Sequence, residues 1–423
     1  MKESQVHKIW LEKLWKVENH STSCGKKLRI LSPGTLNPDA GPDFFNVLVR
    51  IDGLLWAGNV EVHGRSSDWF RHGHHRDAAY NNVVLHLVLE DDTRVWDSKG
   101  RQIPNLLIGP DLCGKDKTES SPPATIIRCL PGAAELDREI WERWLLELFR
   151  ARIETKKQQF LSQSHAQDRD WEKILYSILG KGFGLPINVL PFRMTLSRLP
   201  REVLLRYRDD CFDLEALLFG QAGLLPESDC GPYGNFLNER FEALRTILPQ
   251  PPLETYLWKF LRLRPASFPT LRISQFASLI HRHSPLLPTL LEQKNPSEVE
   301  ALFNLSSSAY WNMHYRFDQA SPDMEKSLGK QARETLLINT LVPFLLSYGR
   351  ESGNKEAGTL GEALLAATAA EANRITREWN ESGIRAKNAM ESQALIHLYN
   401  NYCKQNRCSD CLLGKLCLLQ NGP

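Results

Sequence analysis

FFNVLVRIDGLLWAGNVEVH, residues 44–63, consists of two runs rich in apolar and β-branched residues on either side of Asp52-Gly53. Asp-Gly supplies the positive φ angles of a two-residue hairpin turn, so Phe44 to Ile51 and Leu54 to His63 are predicted to pair antiparallel. That pairing returns the end of the second strand to the mouth of the first, and brings Pro42-Asp43 alongside Glu61-Val62-His63. Glu61 and His63 are two apart and therefore share a face of their strand. Two carboxylates beside a third polar group make a site for Mg²⁺ or Mn²⁺, with waters completing the shell. Such an ion activates water and offsets charge building on a phosphate during hydrolysis.

Moving outward, SSDWFRHGHHRDAAYNN after Arg65 has Ser66 or Ser67 as an N-cap and predicts a short, partly irregular helix weakened by Gly73. VVLHLVLE, residues 83–90, predicts a central strand covered on both faces. Upstream, Ile9, Trp10, Leu14 and Trp15 mark an amphipathic helix from about Glu3 to Val17, followed by a short strand at Leu28 to Leu31 and the turn-rich loop SPGTLNPDAGPD. Arg94 to Ile108 predicts an edge hairpin around Lys99-Gly100, and a polar linker from Asp111 to Pro123 ends the unit. The expected order is helix, strand, hairpin, helix, strand. Within it, His72, His74 and His75 are either solvated residues of a polar helix or, for His75 together with Asp77, groups that line a phosphate or bind a second ion. His86 is either a satisfied core histidine or a partner of the site, and Trp56 and Trp69 are expected in the core.

Length, charge and cysteine usage bound the rest. The chain has 423 residues, enough for two or three domains, and its net charge of +2 points to no class of partner. No stretch approaches the roughly 18 apolar residues of a membrane span and the N-terminus lacks a signal-peptide pattern, so a soluble, cytoplasmic protein without membrane attachment is expected. Beyond about Leu130 the texture changes to helical patterns: Glu135 to Gln163, Asp170 to Leu179, Arg201 to Leu218, Arg240 to Leu248, Glu254 to Leu261, Arg272 to His281, Glu298 to Leu305, Glu334 to Tyr348 and Gly361 to Asn400, the last either continuous or interrupted at Gly383. Arg262, Arg264 and Arg272, around RLRPASFPTLR, either hold phosphate or pin a loop. No Walker loop, dinucleotide fingerprint or G-x-S-x-G elbow occurs.

Pro42-Asp43 followed by Glu61-x-His63, on a hairpin set between helices and strands in this order, resembles the PD-(D/E)XK nuclease superfamily. The resemblance implies an α+β, αβββαβ restriction-endonuclease-like core over residues 1–125, with Asp43 and Glu61 as metal ligands and His63 in the place of the lysine that assists the attacking water. The histidine polarises water, acts as general base, binds metal or marks a lost activity. Over nearly its full length the chain also resembles an uncharacterised bacterial family known as a domain of unknown function, through GTLNPDAGPDFFNV, WAGNVEVHGRSSDW, HGHHRDAAYNNVVLHLV, RPASFPTLRISQ and RCSDCLLG.

Four of the nine cysteines close the chain in a tail at residues 401–423, beyond a mainly α-helical domain at residues 130–400. Cys403, Cys408, Cys411 and Cys417 are spaced C-x4-C-x2-C-x5-C, a ligand set for Zn²⁺ or an iron-sulfur cluster, with unliganded thiols as the alternative. In some nucleases that the core resembles, one such ligand precedes the domain, which puts Cys24 forward in place of Cys403 or Cys417. The expected function is metal-dependent hydrolysis of phosphodiester bonds in DNA or RNA. The alternatives are a catalytically inactive nucleic-acid-binding or scaffold protein on the same core, and a metal-dependent hydrolase of a small substrate. Catalytic candidates are Asp43, Glu61, His63, His75 and Asp77.

Overall fold

The computed structural model describes residues 3–11, 20–37, 41–109, 138–161, 169–226, 231–261, 263–317, 319–405 and 407–420. The chain is mixed α+β with a mainly helical C-terminal half. It divides into two compact units, Met1–Ser120 with Lys259–Arg262, and Ser121–Trp258 with Leu263–Pro423. The expected linker at Asp111 to Pro123 lies outside the described residues.

The first unit is built on a seven-stranded sheet. Helix α1 (Glu3–Leu11) leads into β1 (His20–Ser21), β2 (Lys27–Ser32) and β3 (Thr35–Leu36), then the hairpin of β4 (Phe44–Ile51) and β5 (Leu54–Arg65). The short helix α2 (Asp68–Arg71) and two 3₁₀ turns connect to β6 (Val83–Glu90), followed by β7 (Val95–Trp96), β8 (Gln102–Ile103) and β9 (Asn105–Leu107). Strand order is β1-β2-β4-β5-β6-β9, with β3 also on β4. The strands from β1 to β5 pair antiparallel, whereas β5–β6 and β6–β9 are parallel.

The hairpin turns as its sequence requires. Asp52 and Gly53 have φ of 47° and 83°, the two left-handed residues of a turn that matches strand twist. Near its other end, β4 shifts register between Phe44 and Val47 around Asn46, itself at φ 57°. Such a bulge bends the strand and re-aims its neighbours. The start of β4 is thereby turned toward β5.

Each sheet face has its own cover. Val60, Val62, Leu85, Leu87 and Leu106 pack with Val6 and Trp10 of α1, and each fully buried aliphatic side chain contributes on the order of 1.5–3 kcal/mol. Parallel register sets Glu61 beside His86, and His86 beside Asn105. The β5–β6 crossover contributes its own apolar group, Trp69 and Tyr80 packed with Val83, Val95 and Ile103. The edge region differs from expectation: β7 and β8 pair around Lys99-Gly100 as a separate ribbon, while β9 joins the main sheet. Trp69 is buried as expected, but Trp56 is exposed, because the hairpin tip from Leu54 to Trp56 extends beyond the packed part of the sheet.

In the second unit several predicted helices are shorter or divided. Arg201 to Leu218 is two helices, Arg201–Arg206 and Cys211–Gln221, because Asp210 caps the second by accepting the Phe212 N–H at 2.8 Å. Gly361 to Asn400 falls in Lys355–Ala367, Arg374–Glu381 and Ala389–Leu398, each opened by an asparagine cap at Asn354, Asn373 or Asn388. Glu254 to Leu261 forms only the 3₁₀ turn Thr255–Leu257. There Leu253 N–H donates to the Gln221 carbonyl and the Trp258 indole donates to the Ala222 carbonyl, which pins the segment to the preceding helix end. Among the described residues no helix is long and apolar enough to cross a membrane.

Candidate metal centre

At the mouth of β4, Asp43 meets β5 through reciprocal bonds. The Asp43 N–H donates to Glu61 Oε2 at 3.0 Å, and the Val62 N–H donates to Asp43 Oδ2 at 2.9 Å. The same Oδ2 lies 3.4 Å from His7 Nε2 of α1. Asp43 raises the pKa of His7, against the effect of burial.

The other oxygen of Glu61 faces imidazoles. Glu61 Oε1 is 3.5 Å from His63 Nε2 and 3.4 Å from His74 Nε2. His63 Nε2 is 3.1 Å from His72 Nδ1. The ring nitrogens of His63, His72 and His74 all lie within 4.8 Å of one another, and among the described residues no other histidine, cysteine or acidic trio converges in this way. His74 Nε2 is buried and makes no hydrogen bond among the described residues. A buried ring nitrogen with no hydrogen bond, beside a carboxylate oxygen and two further imidazoles, is a candidate metal ligand.

The crossover chain holds these rings in place. Gly73, at φ 78°, stops α2 and starts the 3₁₀ turn His74–Arg76, so His74 swings back toward β5. Tyr80 stacks on the His74 ring with centroids 3.7 Å apart, and Trp69 meets it edge-on. Asp77 caps the turn that carries Tyr80 by accepting the Ala79 N–H at 2.8 Å. His75 packs on Phe70. The geometry thus joins Asp43, Glu61 and His63 to His7, His72 and His74, and places Asp77 behind them as a support for their cover.

A hydrogen-bond chain sets the tautomer of His63. The Asn105 amide nitrogen donates to Asp91 and to the Thr93 carbonyl, which leaves its oxygen toward His86. His86 Nδ1 therefore carries hydrogen and donates to Asn105 Oδ1 at 3.1 Å. His86 Nε2 is then the acceptor for His63 Nδ1–H at 2.8 Å, and His63 Nε2 presents a lone pair to Glu61 and His72. Second-shell partners of this kind orient a ligating histidine. His86 is at once a buried residue of the sheet and a direct partner of the cluster.

Electrostatics agree with the geometry. Burial, aided by the neighbouring imidazoles, pushes the pKa of His63 down to about 2, and burial pushes His86 down to about 4. Burial also lowers His74, opposed by Asp77 and Asp43. Burial and the adjacent Asp43 charge push Glu61 up to about 9. His63, His74 and His86 are thereby held toward the neutral form, the one that can bind metal, while Glu61 lacks the positive charge that would keep it ionised. Three converging imidazole nitrogens, with Glu61 Oε1 beside those of His63 and His74, suit a divalent cation of borderline softness.

The thiols contrast with this. Cys403 and Cys408 are half-buried and Cys411 is buried, but among the described side chains they form no converging trio. The side chain of Cys417 lies outside the described residues. Cys24 is exposed, with Sγ 3.2 Å from Thr22 Oγ1. Of the arginines, Arg264 is exposed and Arg272 buried, while Arg262 lies outside the described residues.

His7 and Asn105 escaped the sequence reading. A histidine next to the buried Val6 of an amphipathic helix is a usable signal for the first. Nothing local marks Asn105, since its role depends on β9 joining the sheet.

Fold and site together define an α+β protein with a histidine-carboxylate cluster suited to a divalent cation. The chain belongs to the family described as "Protein of unknown function (DUF2851)", whose model matches residues 3–374. No match was found among curated proteins or among solved structures.

Proposed function

We propose that this protein is a metal-dependent hydrolase of phosphodiester bonds in nucleic acid, built on a PD-(D/E)XK nuclease-like core. The observation that carries the reading is the meeting of Asp43, Glu61 and His63 at one end of the hairpin, joined there by His72 and His74. The succession α1, β2, β4, β5, α2, β6, with β6 parallel to β5, supports it through the element order that the motif implies.

Glu61, His63, His72 and His74 would hold the ion, and three nitrogen donors favour Mn²⁺ or Zn²⁺ over Mg²⁺, which prefers oxygen. When bound, a divalent cation offsets charge growing on the phosphate and acidifies the attacking water. His63 stands in for the lysine as a neutral lone-pair donor rather than as a cation. Asp43, oriented by the Val62 amide, is the base that takes the proton of the attacking water, and His7 beside it balances its charge.

Cleavage of single- and double-stranded DNA and RNA with Mn²⁺, Zn²⁺ or Mg²⁺ tests this. Asp43→Asn, Glu61→Gln and His63→Ala are expected to lose at least ~100-fold in rate, in keeping with the loss of a catalytic group, with circular dichroism unchanged. Full activity in Asp43→Asn and Glu61→Gln overturns the reading. A second reading, a hydrolase of a small substrate, is favoured by the imidazole-rich donor set; it predicts turnover of a chromogenic phosphodiester with every nucleic acid left intact. Histidine at the lysine position favours a third, an inactive binding module, which predicts salt-sensitive nucleic-acid binding with no turnover under any of these ions.

A further inference from the structure

The helical unit contains a buried charge of the opposite kind. A cavity of about 420 Å³ is lined by the apolar side chains of Phe183, Leu185 and Leu336 and by the polar groups of Ser267, Thr335 and Asn373. Its size falls in the range of small-molecule sites. Arg272, on the helix Pro269–His283, also lines it and is only 8 % exposed.

A buried guanidinium is normally paired with an acid. Arg272 donates from Nη1 to Gln275 Oε1 at 3.1 Å, and burial lowers its pKa, with no carboxylate among the described residues opposing the change. Glu371, the acid in the cavity wall, is already engaged. Its Oε2 accepts from Asn339 at 3.1 Å and from Gln393 at 2.6 Å, and its Oε1 accepts from Asn373 at 3.2 Å. Its charge acts instead on the half-buried Arg152 and Lys156. Lys156 Nζ bonds both oxygens of Asn339, at 2.7 and 3.0 Å, within the π-helical turn Leu337–Leu341 that borders the cavity. π turns recur at functional sites.

We propose that this cavity binds a small organic phosphate ester, with its phosphate oxygens on Arg272 and its apolar body against Phe183 and Leu336. The guanidinium fork together with the hydroxyls of Ser267 and Thr335 offers more donors than a carboxylate's two oxygens use well, and suits a phosphate's three terminal oxygens. The proposal is independent of the nuclease reading.

The full chain, treated with chelator and carrying Glu61→Gln to silence the first site, is titrated calorimetrically with phenyl phosphate, inorganic phosphate and benzoate. One phenyl phosphate per chain is expected, bound at least tenfold more tightly than inorganic phosphate or benzoate. Arg272→Met is expected to weaken binding at least 100-fold. Thr335→Trp, which keeps Arg272 and fills the cavity, gives the same loss and serves if Arg272→Met does not fold. Absence of saturable binding, unchanged affinity in a folded Arg272→Met or Thr335→Trp protein, or benzoate binding as tightly as phenyl phosphate overturns the proposal.

Discussion

Glu61 and Arg272 are both buried ionisable groups, in different units, and their surroundings differ in what they lack. Around Glu61 stand the imidazoles of His63 and His74, both held toward the neutral form by burial, so an ionised Glu61 is short of a positive charge. Around Arg272 stand Gln275, hydroxyls and apolar walls, and the one carboxylate in the cavity lining, Glu371, is bonded to Asn339, Asn373 and Gln393, so the guanidinium is short of a negative partner. An uncompensated buried charge costs several kcal/mol. The sign of the surplus therefore names the sign of the missing partner. His74 Nε2, buried without a hydrogen bond, adds direction to the first case, and the cavity adds volume to the second.

The strongest way to break the contrast is to measure what each place takes up. The wild-type chain is expected to hold one Mn²⁺ or Zn²⁺ by mass-spectrometric metal analysis, and His74→Ala to hold none after dialysis. At 1,000 times the dissociation constant, an ion bound to the folded state alone adds ~4 kcal/mol, so chelation should lower the melting temperature of wild type and leave His74→Ala unmoved. Metal retained by His74→Ala removes the cluster from consideration.

pH sharpens the comparison next. In the metal-free protein Glu61, raised to about 9 from an ordinary 4.5, keeps its proton when folded and releases it when unfolded above 4.5. Its contribution to stability therefore falls as pH rises from 4.5 toward 9, by at most ~1.4 kcal/mol per unit. Glu61→Gln should flatten that alkaline decline in chelator, as followed by denaturant titration at pH 6, 7.5 and 9. His63 and His86, lowered to about 2 and 4, act on the other side, and remove stability as pH falls below 6.5. An alkaline slope identical in wild type and Glu61→Gln contradicts the assignment of Glu61 as the unbalanced acid.

Smaller effects probe the supports. Asn105→Ala frees His86 to take either tautomer, and ~10–100-fold weaker metal binding is expected in competition titrations. An unchanged affinity would show the His86 chain to be idle. At the far end of the hairpin, Gly53→Ala places a side chain at φ 83° with open space around it, and about 1 kcal/mol of stability should be lost with metal affinity intact.

The sequence made the hairpin legible because its turn and its alternation agree, and period two alone put Glu61 and His63 on one face. The crossover was harder. His72 and His74 would diverge around an uninterrupted helix, and they converge only because Gly73 reverses the backbone between them. His86 looked like a core residue, and it is one, but its second role needed Asn105 from a three-residue strand too short to announce itself. In the helical unit, apolar periodicity marked where helices lie; of the stops only Gly383, at φ 86° just past the helix Arg374–Glu381, was readable as a break, although Asn354, Asn373 and Asn388 are readable caps once one is sought.

The parallel pairing of β5 with β6 has a kinetic side. Glu61 and His63 come from β5, His72 and His74 from the crossover between the strands, and the supporting His86 from β6, so these five residues meet only after residues 66–82 have closed across the sheet. Parallel pairs joined by a crossover are non-local contacts that form slowly. An ion that engages after this closure stabilises the native state and leaves the folding barrier untouched, so it lengthens the lifetime of the folded chain and not the time taken to fold.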